Sequence, residues 1–200
     1  MTKLKATAII AMLASFSIFG QAWDGTKGKK PAPDESIKTA VYNWKTLTQD
    51  NFSVAYPTNW EVNTSGEDGT SLILFSPITS KGETFRANIN LVIQDLENMD
   101  IGSQSINLKE YTEHSLIQIK NNNIKSGGKF ISSDLVNIDG ISHQKVLYTG
   151  VSEEGLKLKY EQYYWVQNNK AYVLTFTCQD YKFINYQSTA EKIMNSFSIL

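Results

Sequence analysis

The chain has 200 residues, of which 41% are hydrophobic, 12% aromatic and 20% charged, and its formal net charge is −1. A chain of that length buries enough surface as one domain to stand without disulfides or a structural metal. So weak a charge excludes the electrostatic footprint of a nucleic-acid binder and of a protein that coats anionic membranes.

The N-terminus predicts a signal peptide over residues 1–22. Lys3 and Lys5 form a positive start, Ala6 to Phe19 an apolar run, and Gly20-Gln21-Ala22 a small-residue cleavage site before Trp23. The run is about 14 residues, short of the ~20 that a bilayer span needs, so no stable membrane insertion is expected once the leader is cleaved. No cysteine follows the run to carry a lipid. A secreted, periplasmic protein is the expectation. Residues 23–40 read as a flexible linker, with Gly25, Gly28, Pro31 and Pro33 and a cluster of Lys27, Lys29 and Lys30.

Residues 41–200 read as one α/β domain. Tyr42, Trp44 and Leu47 precede a polar break, and Phe52, Val54 and Tyr56 alternate with smaller residues, which predicts an antiparallel pair. Pro57-Thr58-Asn59 is a turn, with Trp60 and Val62 beyond it. Asn63 to Thr70 is a loop, and Leu72 to Phe75 a short strand. Phe85, Ala87, Ile89, Leu91 and Ile93 alternate with Arg86, Asn88 and Asn90, a period-2 signal. Leu108 to Lys120 is predicted as a helix: Leu108, Tyr111, Thr112, Ser115 and Ile119 fall on one stripe, and Asn107 with Glu110 forms a capping box. Asn121 to Asn123 and Gly127-Gly128 read as its end.

Lys129 to Ile138 and Ile141 to Thr149 read as a hairpin about Asp139-Gly140, a pair suited to a type I′ turn. Leu156 to Val166 and Ala171 to Cys178 read as a second hairpin about Asn168-Asn169. That register sets Trp165 opposite Tyr172 and Tyr163 opposite Leu174, with Tyr164, Val166 and Val173 on the other face. Both faces are apolar, so the sheet is expected to be covered on both sides. Phe183 to Phe197 reads as a final helix with a stripe of Ile184, Gln187, Ala190, Ile193 and Met194. Hairpin connections with two helices give an α+β fold, mainly antiparallel.

Phe52-Ser-Val-Ala-Tyr56-Pro57-Thr-Asn-Trp60 resembles the "F-x-V-x-Y-P-x-x-W" opening of PsbP-like domains, in the Mog1p/PsbP-like superfamily, with the DcrB-like lipoproteins as relatives. Tyr172-Val-Leu-Thr-Phe176, followed by Phe183 to Ile199 with Asn195-Ser-Phe197, resembles their ending. The resemblance implies an antiparallel sheet sandwiched between helices, an α/β/α sandwich, and members that are mostly accessory or binding proteins. It carries no functional residue across.

The chemistry-bearing residues are sparse. His114 on the helix has Glu110 four residues before it, a spacing that can hold a metal but more often makes a surface pair. His143 shares a hairpin face with Val136, Ile138 and Ile141, which predicts a partly buried, satisfied imidazole. Cys178 cannot form an intramolecular disulfide and reads as a buried small hydrophobe. Glu153 and Glu154 sit at a turn beside Gly155. Asn51 and Asn63 match glycosylation acceptor patterns that also arise by chance. No phosphate loop, dinucleotide fingerprint or nucleophile elbow is present. Accordingly no catalytic, cofactor-binding or metal residue is assigned, no cofactor is expected, and the expectation is a non-enzyme. The aromatic cluster of Tyr160, Tyr163, Tyr164, Trp165 and Tyr172 reads as core, with a peptide- or glycan-binding surface as the alternative. The expected role is a secreted accessory module that binds another envelope protein. A small-ligand or glycan binder and an uncharacterised hydrolase follow in that order.

Overall fold

The computed structural model describes residues 43–80, 83, 85–97, 105–138 and 140–200. The expected leader over 1–22 and the linker over 23–40 lie outside them. Two sheets and two α-helices make up the described fold. Strands β1 (Trp44–Gln49) and β2 (Phe52–Pro57) pair antiparallel, as the alternation predicts. They join the short terminal β10 (Ser198–Ile199) in a three-stranded sheet, order β1-β2-β10. The larger sheet has β3 (Glu61–Asn63), β4 (Leu72–Phe75), β5 (Asn88–Asp95), β6 (Phe130–Ile138), β7 (Ile141–Val151), β8 (Lys157–Gln167) and β9 (Lys170–Gln179). Its order is β3-β4-β5-β9-β8-β7-β6, and every pairing is antiparallel.

Turn chemistry sets the register. Asn168 and Asn169 adopt φ of 53° and 55°, the left-handed pair that a type I′ loop demands. Trp165 therefore faces Tyr172, and Tyr163 faces Leu174. The β6–β7 loop closes between Ile138 and Ile141, with Gly140 at φ 84°. Asp139 lies outside the described residues.

Helix α1 (Leu108–Ser126) starts at the predicted capping box. The Asn107 amide donates to Glu110 Oε2, and the Glu110 amide donates to Asn107 Oδ1, each at 3.0 Å. Tyr111, Thr112, Ser115 and Ile119 are buried as the stripe predicts. The asparagines at 121–123 do not stop it. The helix runs on to Gly127, whose φ of 75° supplies the left-handed exit. At Gly128 a Cβ would collide with the Thr149 carbonyl oxygen, so only glycine fits this approach of α1's end to β7.

Helix α2 (Phe183–Asn195) differs from its expected stripe. Phe183, Tyr186, Ala190, Ile193 and Met194 are buried, while Ile184 is 63% exposed. The two aromatic residues, three apart, take the inner face and rotate Ile184 outward.

Both faces of the large sheet are covered, and the core divides accordingly. One cluster lies between α1 and the sheet, with Tyr111, Val146, Tyr148, Tyr164 and Val173. The other lies under α2, with Leu74, Leu91, Tyr163, Trp165, Leu174, Phe176 and Ile193. The second cover is not helix alone, which corrects the simple helix–sheet–helix sandwich. A helix of 13 residues is only about 20 Å long, whereas seven strands spaced about 4.8 Å apart span roughly 29 Å. The sheet β1-β2-β10 fills the difference: Phe52, Val54 and Tyr56 belong to the same cluster as α2. The polar side of β5 is not solvated either, since Asn88 and Asn90 are buried on the α1 side.

Candidate functional site

The aromatic hairpin is core. Tyr163, Tyr164, Trp165 and Tyr172 are all buried, and Tyr160 packs at the margin of the α1 cluster. Trp165 lies 4.9 Å from the Phe197 ring and 5.2 Å from the His143 ring, centroid to centroid. On the opposite face Tyr164 meets Tyr111 edge-on at 5.6 Å and donates to Gln162, which in turn donates to Thr175. No aromatic groove faces outward here, so the glycan-binding alternative loses the surface on which it depended.

His143 is more deeply buried than its strand pattern suggested. Its ring stacks on Tyr163 at 4.5 Å, and its Nε2 has no hydrogen-bond partner. Burial, reinforced by the Lys145 charge, pushes its pKa down, so the folded protein holds it neutral. The expected satisfied imidazole is thus replaced by one held by ring stacking. His114 is half-buried on α1, and Glu110 is used by the helix cap. Among the described residues no three His, Cys, Asp or Glu side chains come together as a metal site.

Two charge clusters join residues remote in the sequence. Beneath α2, Glu161 is 2% exposed and lies 3.0 Å from Lys145 Nζ, which also lies 3.6 Å from Glu191. At the start of α2, Glu83 accepts from Lys182 Nζ at 2.6 Å and from the Thr79 amide at 2.8 Å. Burial pushes the Glu83 carboxyl up, but the bonds from Lys182 and Thr79 outweigh it and leave the pKa lowered. Cys178 lies nearby, buried, its thiol pushed up to about 12 by desolvation despite the Lys182 charge. A thiol so held is no nucleophile at neutral pH. Glu153 and Glu154 are exposed at a turn, Asn51 lies between β1 and β2, and the Asn63 side chain accepts from the Ser65 amide.

These shifts set an acid limit on stability. The unfolded chain takes a proton on His143 from about pH 6.5 downward, and the folded chain resists it. Stability should therefore decline as pH falls below about 6.5, and again below about 4.5 as Glu83 loses its pairing. Thermal melts against pH check this, and His143→Phe should remove the first decline while sparing the second.

Of the eight large apolar side chains exposed among the described residues, three lie on one hairpin. Ile131 is 48% exposed, Leu135 68% and Ile141 54%, all on the β6–β7 hairpin. β6 is also the long outer strand of the large sheet, bonded to β7 alone among the described strands. Leu135 projects on the α1 face of this hairpin and Ile141 on the α2 face, so apolar groups flank the free edge on both sides. This edge is the candidate site, and no motif in the sequence announced it. Its signal was the failure of β6 to follow strict alternation, with Leu135 beside Val136.

The family model of PsbP-like proteins matches residues 7–199. The chain belongs to the PsbP-like family. Its fold is shared with the solution structure of cyanobacterial PsbP from Synechocystis sp. PCC 6803, at TM-score 0.57 and 8% identity over 81% of this chain and 95% of that one. LpqN of Mycobacterium tuberculosis, described as involved in cell envelope biogenesis, matches at TM-score 0.54 and 10% identity over 82% of this chain and 95% of that one. A protein of unknown function from Pseudomonas aeruginosa matches at TM-score 0.50 and 15% identity over 76% and 94%. No curated protein matches the chain. At such identities the structural likeness establishes the PsbP-like fold and nothing finer. Among the described residues no helix is long and apolar enough to cross a membrane.

Proposed function

We propose that this PsbP-like protein is a secreted, periplasmic accessory module, not an enzyme, which binds another protein of the cell envelope through the β6–β7 edge. The exposed apolar hairpin carries the reading: Leu135 and Ile141 are more than half exposed, while the aromatic residues that might have bound a ligand are in the core. Members of the family are generally accessory proteins without catalysis. The charged start and small-residue cleavage site support export. Its buried groups are poorly suited to chemistry, with a neutral, stacked imidazole and a protonated thiol.

The test is capture of partners from the protein's own cell envelope by the wild type and by Leu135→Lys. The substitution alters an exposed side chain and should leave the fold intact. Recovery of the partner should fall at least about tenfold, equivalent to 1.4 kcal/mol of binding. Equal recovery by the two proteins would refute the assignment of this edge.

A further inference from the structure

β6 is an unusual edge. Its opposite number, β3, has only three residues, a common way of blunting a sheet edge. β6 has nine, contains no proline or lysine, and carries Asp134 as its one charge. Its irregularity is confined to one end, where the register with β7 shifts between Phe130 and Ser132. From Ser132 to Ile138 the ladder is regular.

The backbone geometry of that run follows from the hairpin. A two-residue loop closes on a hydrogen-bonded pair, here Ile138 and Ile141, and bonding then alternates along the strand. Val136, Asp134 and Ser132 direct their backbone groups to β7. Asn137, Leu135 and Ser133 direct theirs outward, where no described strand meets them. A row of outward N–H and C=O groups is matched by one kind of occupant, an extended backbone.

The two faces of the edge specify side chains. Leu135 and Ser133 share the α1 face, since they pair across to Gln144 and Val146. Asp134 pairs across to Lys145 on the α2 face. On the α2 face Lys145 is taken up by Glu161 and Glu191, and exposed Asp134 at the edge is left without a cation among the described residues. A second copy of β6 offers no cation to this face, so self-pairing leaves that acid unmet.

We infer that β6 receives, by antiparallel strand addition, an extended segment of the partner protein that places a basic side chain against Asp134 and apolar side chains beside Leu135. This deepens the proposed function and rests on it: the same edge is given a binding mode and a partner chemistry.

Two synthetic peptides test it on the purified full chain. Both alternate threonine and valine over the length of β6, one with a central lysine and one with a central glutamate. By fluorescence anisotropy the lysine peptide should bind roughly five- to tenfold more tightly, as opposed and like cross-strand charges imply. Asp134→Lys should reverse the order. Ser133→Pro removes an outward N–H and spares the backbone ladder to β7, losing there only the side-chain bond from Gln144, and should weaken both peptides at least about tenfold. In the wild type, the lysine peptide should slow amide exchange at Ser133, Leu135 and Asn137. Asp134 and Val136, already bonded to β7, should be unchanged. This measurement stands even if the proline variant fails to fold. Equal binding of the two peptides, or no protection of the outward amides, would overturn the inference. So would a dimer of the wild type that Ser133→Pro dissolves, because the occupant would then be a second copy. If Leu135→Lys still abolishes envelope capture while the peptides fail, the edge remains the interface and strand addition alone is lost. If capture ignores Leu135, the proposed function itself fails.

Discussion

Trp165→Ala should lower the unfolding free energy by roughly 3–5 kcal/mol, the range for truncating a large buried aromatic, through lost transfer energy and the cavity left behind. Trp165 is 7% exposed, and its ring touches Phe197, His143 and Tyr163 at centroid distances of 4.9, 5.2 and 5.9 Å. These contacts join β8 to β7 and to the segment after α2. The truncation therefore loosens the seam between the large sheet and its mixed cover. Against a total stability of about 5–15 kcal/mol such a loss is severe, and a denaturant melt should show a sharp fall in midpoint with little change in slope. A melt indistinguishable from wild type would remove Trp165 from the core.

The second large effect is electrostatic. Lys145→Ala should cost roughly 3 kcal/mol, because it strands the Glu161 carboxylate in the interior. Glu161 is 2% exposed, and Lys145 Nζ at 3.0 Å is its cation. Removing one partner of a buried pair costs more than removing both, since the uncompensated charge carries the penalty. The double variant Lys145→Ala with Glu161→Leu should thus recover most of the stability lost by the single one. Chemical denaturation of the four proteins in the cycle measures this. A single variant within about 0.5 kcal/mol of wild type would mean that water already reaches Glu161.

Much of the fold was legible because its signals are local. The Asn168-Asn169 turn fixed the parity of β8 and β9, and parity alone placed Trp165 and Tyr172 on one face and Tyr164 and Val173 on the other. The Asn107–Glu110 box set the start of α1 to the residue. What escaped depends on contacts remote in sequence. Glu83 and Lys182 are 99 residues apart, and neither periodicity nor spacing hints at the pair. Glu161 is one of several charges in a strand that alternates imperfectly, and its burial follows only from where α2 lies. The cover by β1-β2-β10 was missed because the strands were visible but their membership of a second sheet was not. α2 is turned from its expected stripe because Ile184 fits a helical stripe as well as Phe183 does, while in the fold Phe183 and Tyr186 take the inner face and Phe183 packs on Phe176.

The candidate site was the least legible part. Leu135 in Ser133-Asp134-Leu135-Val136 looks like any strand residue until the topology leaves β6 on the outside. Conversely, the aromatic hairpin had the richest composition for binding and proved to be the interior. The proposed binding surface is made of ordinary residues, and only their place at the outer strand sets them apart.

The most direct measurement pairs a denaturant melt with envelope capture for Leu135→Lys. Leu135 is 68% exposed, so the melt should stay within about 0.5 kcal/mol of wild type while capture falls at least about tenfold. An unchanged capture by a stably folded Leu135→Lys protein would contradict the placement of the binding surface at β6.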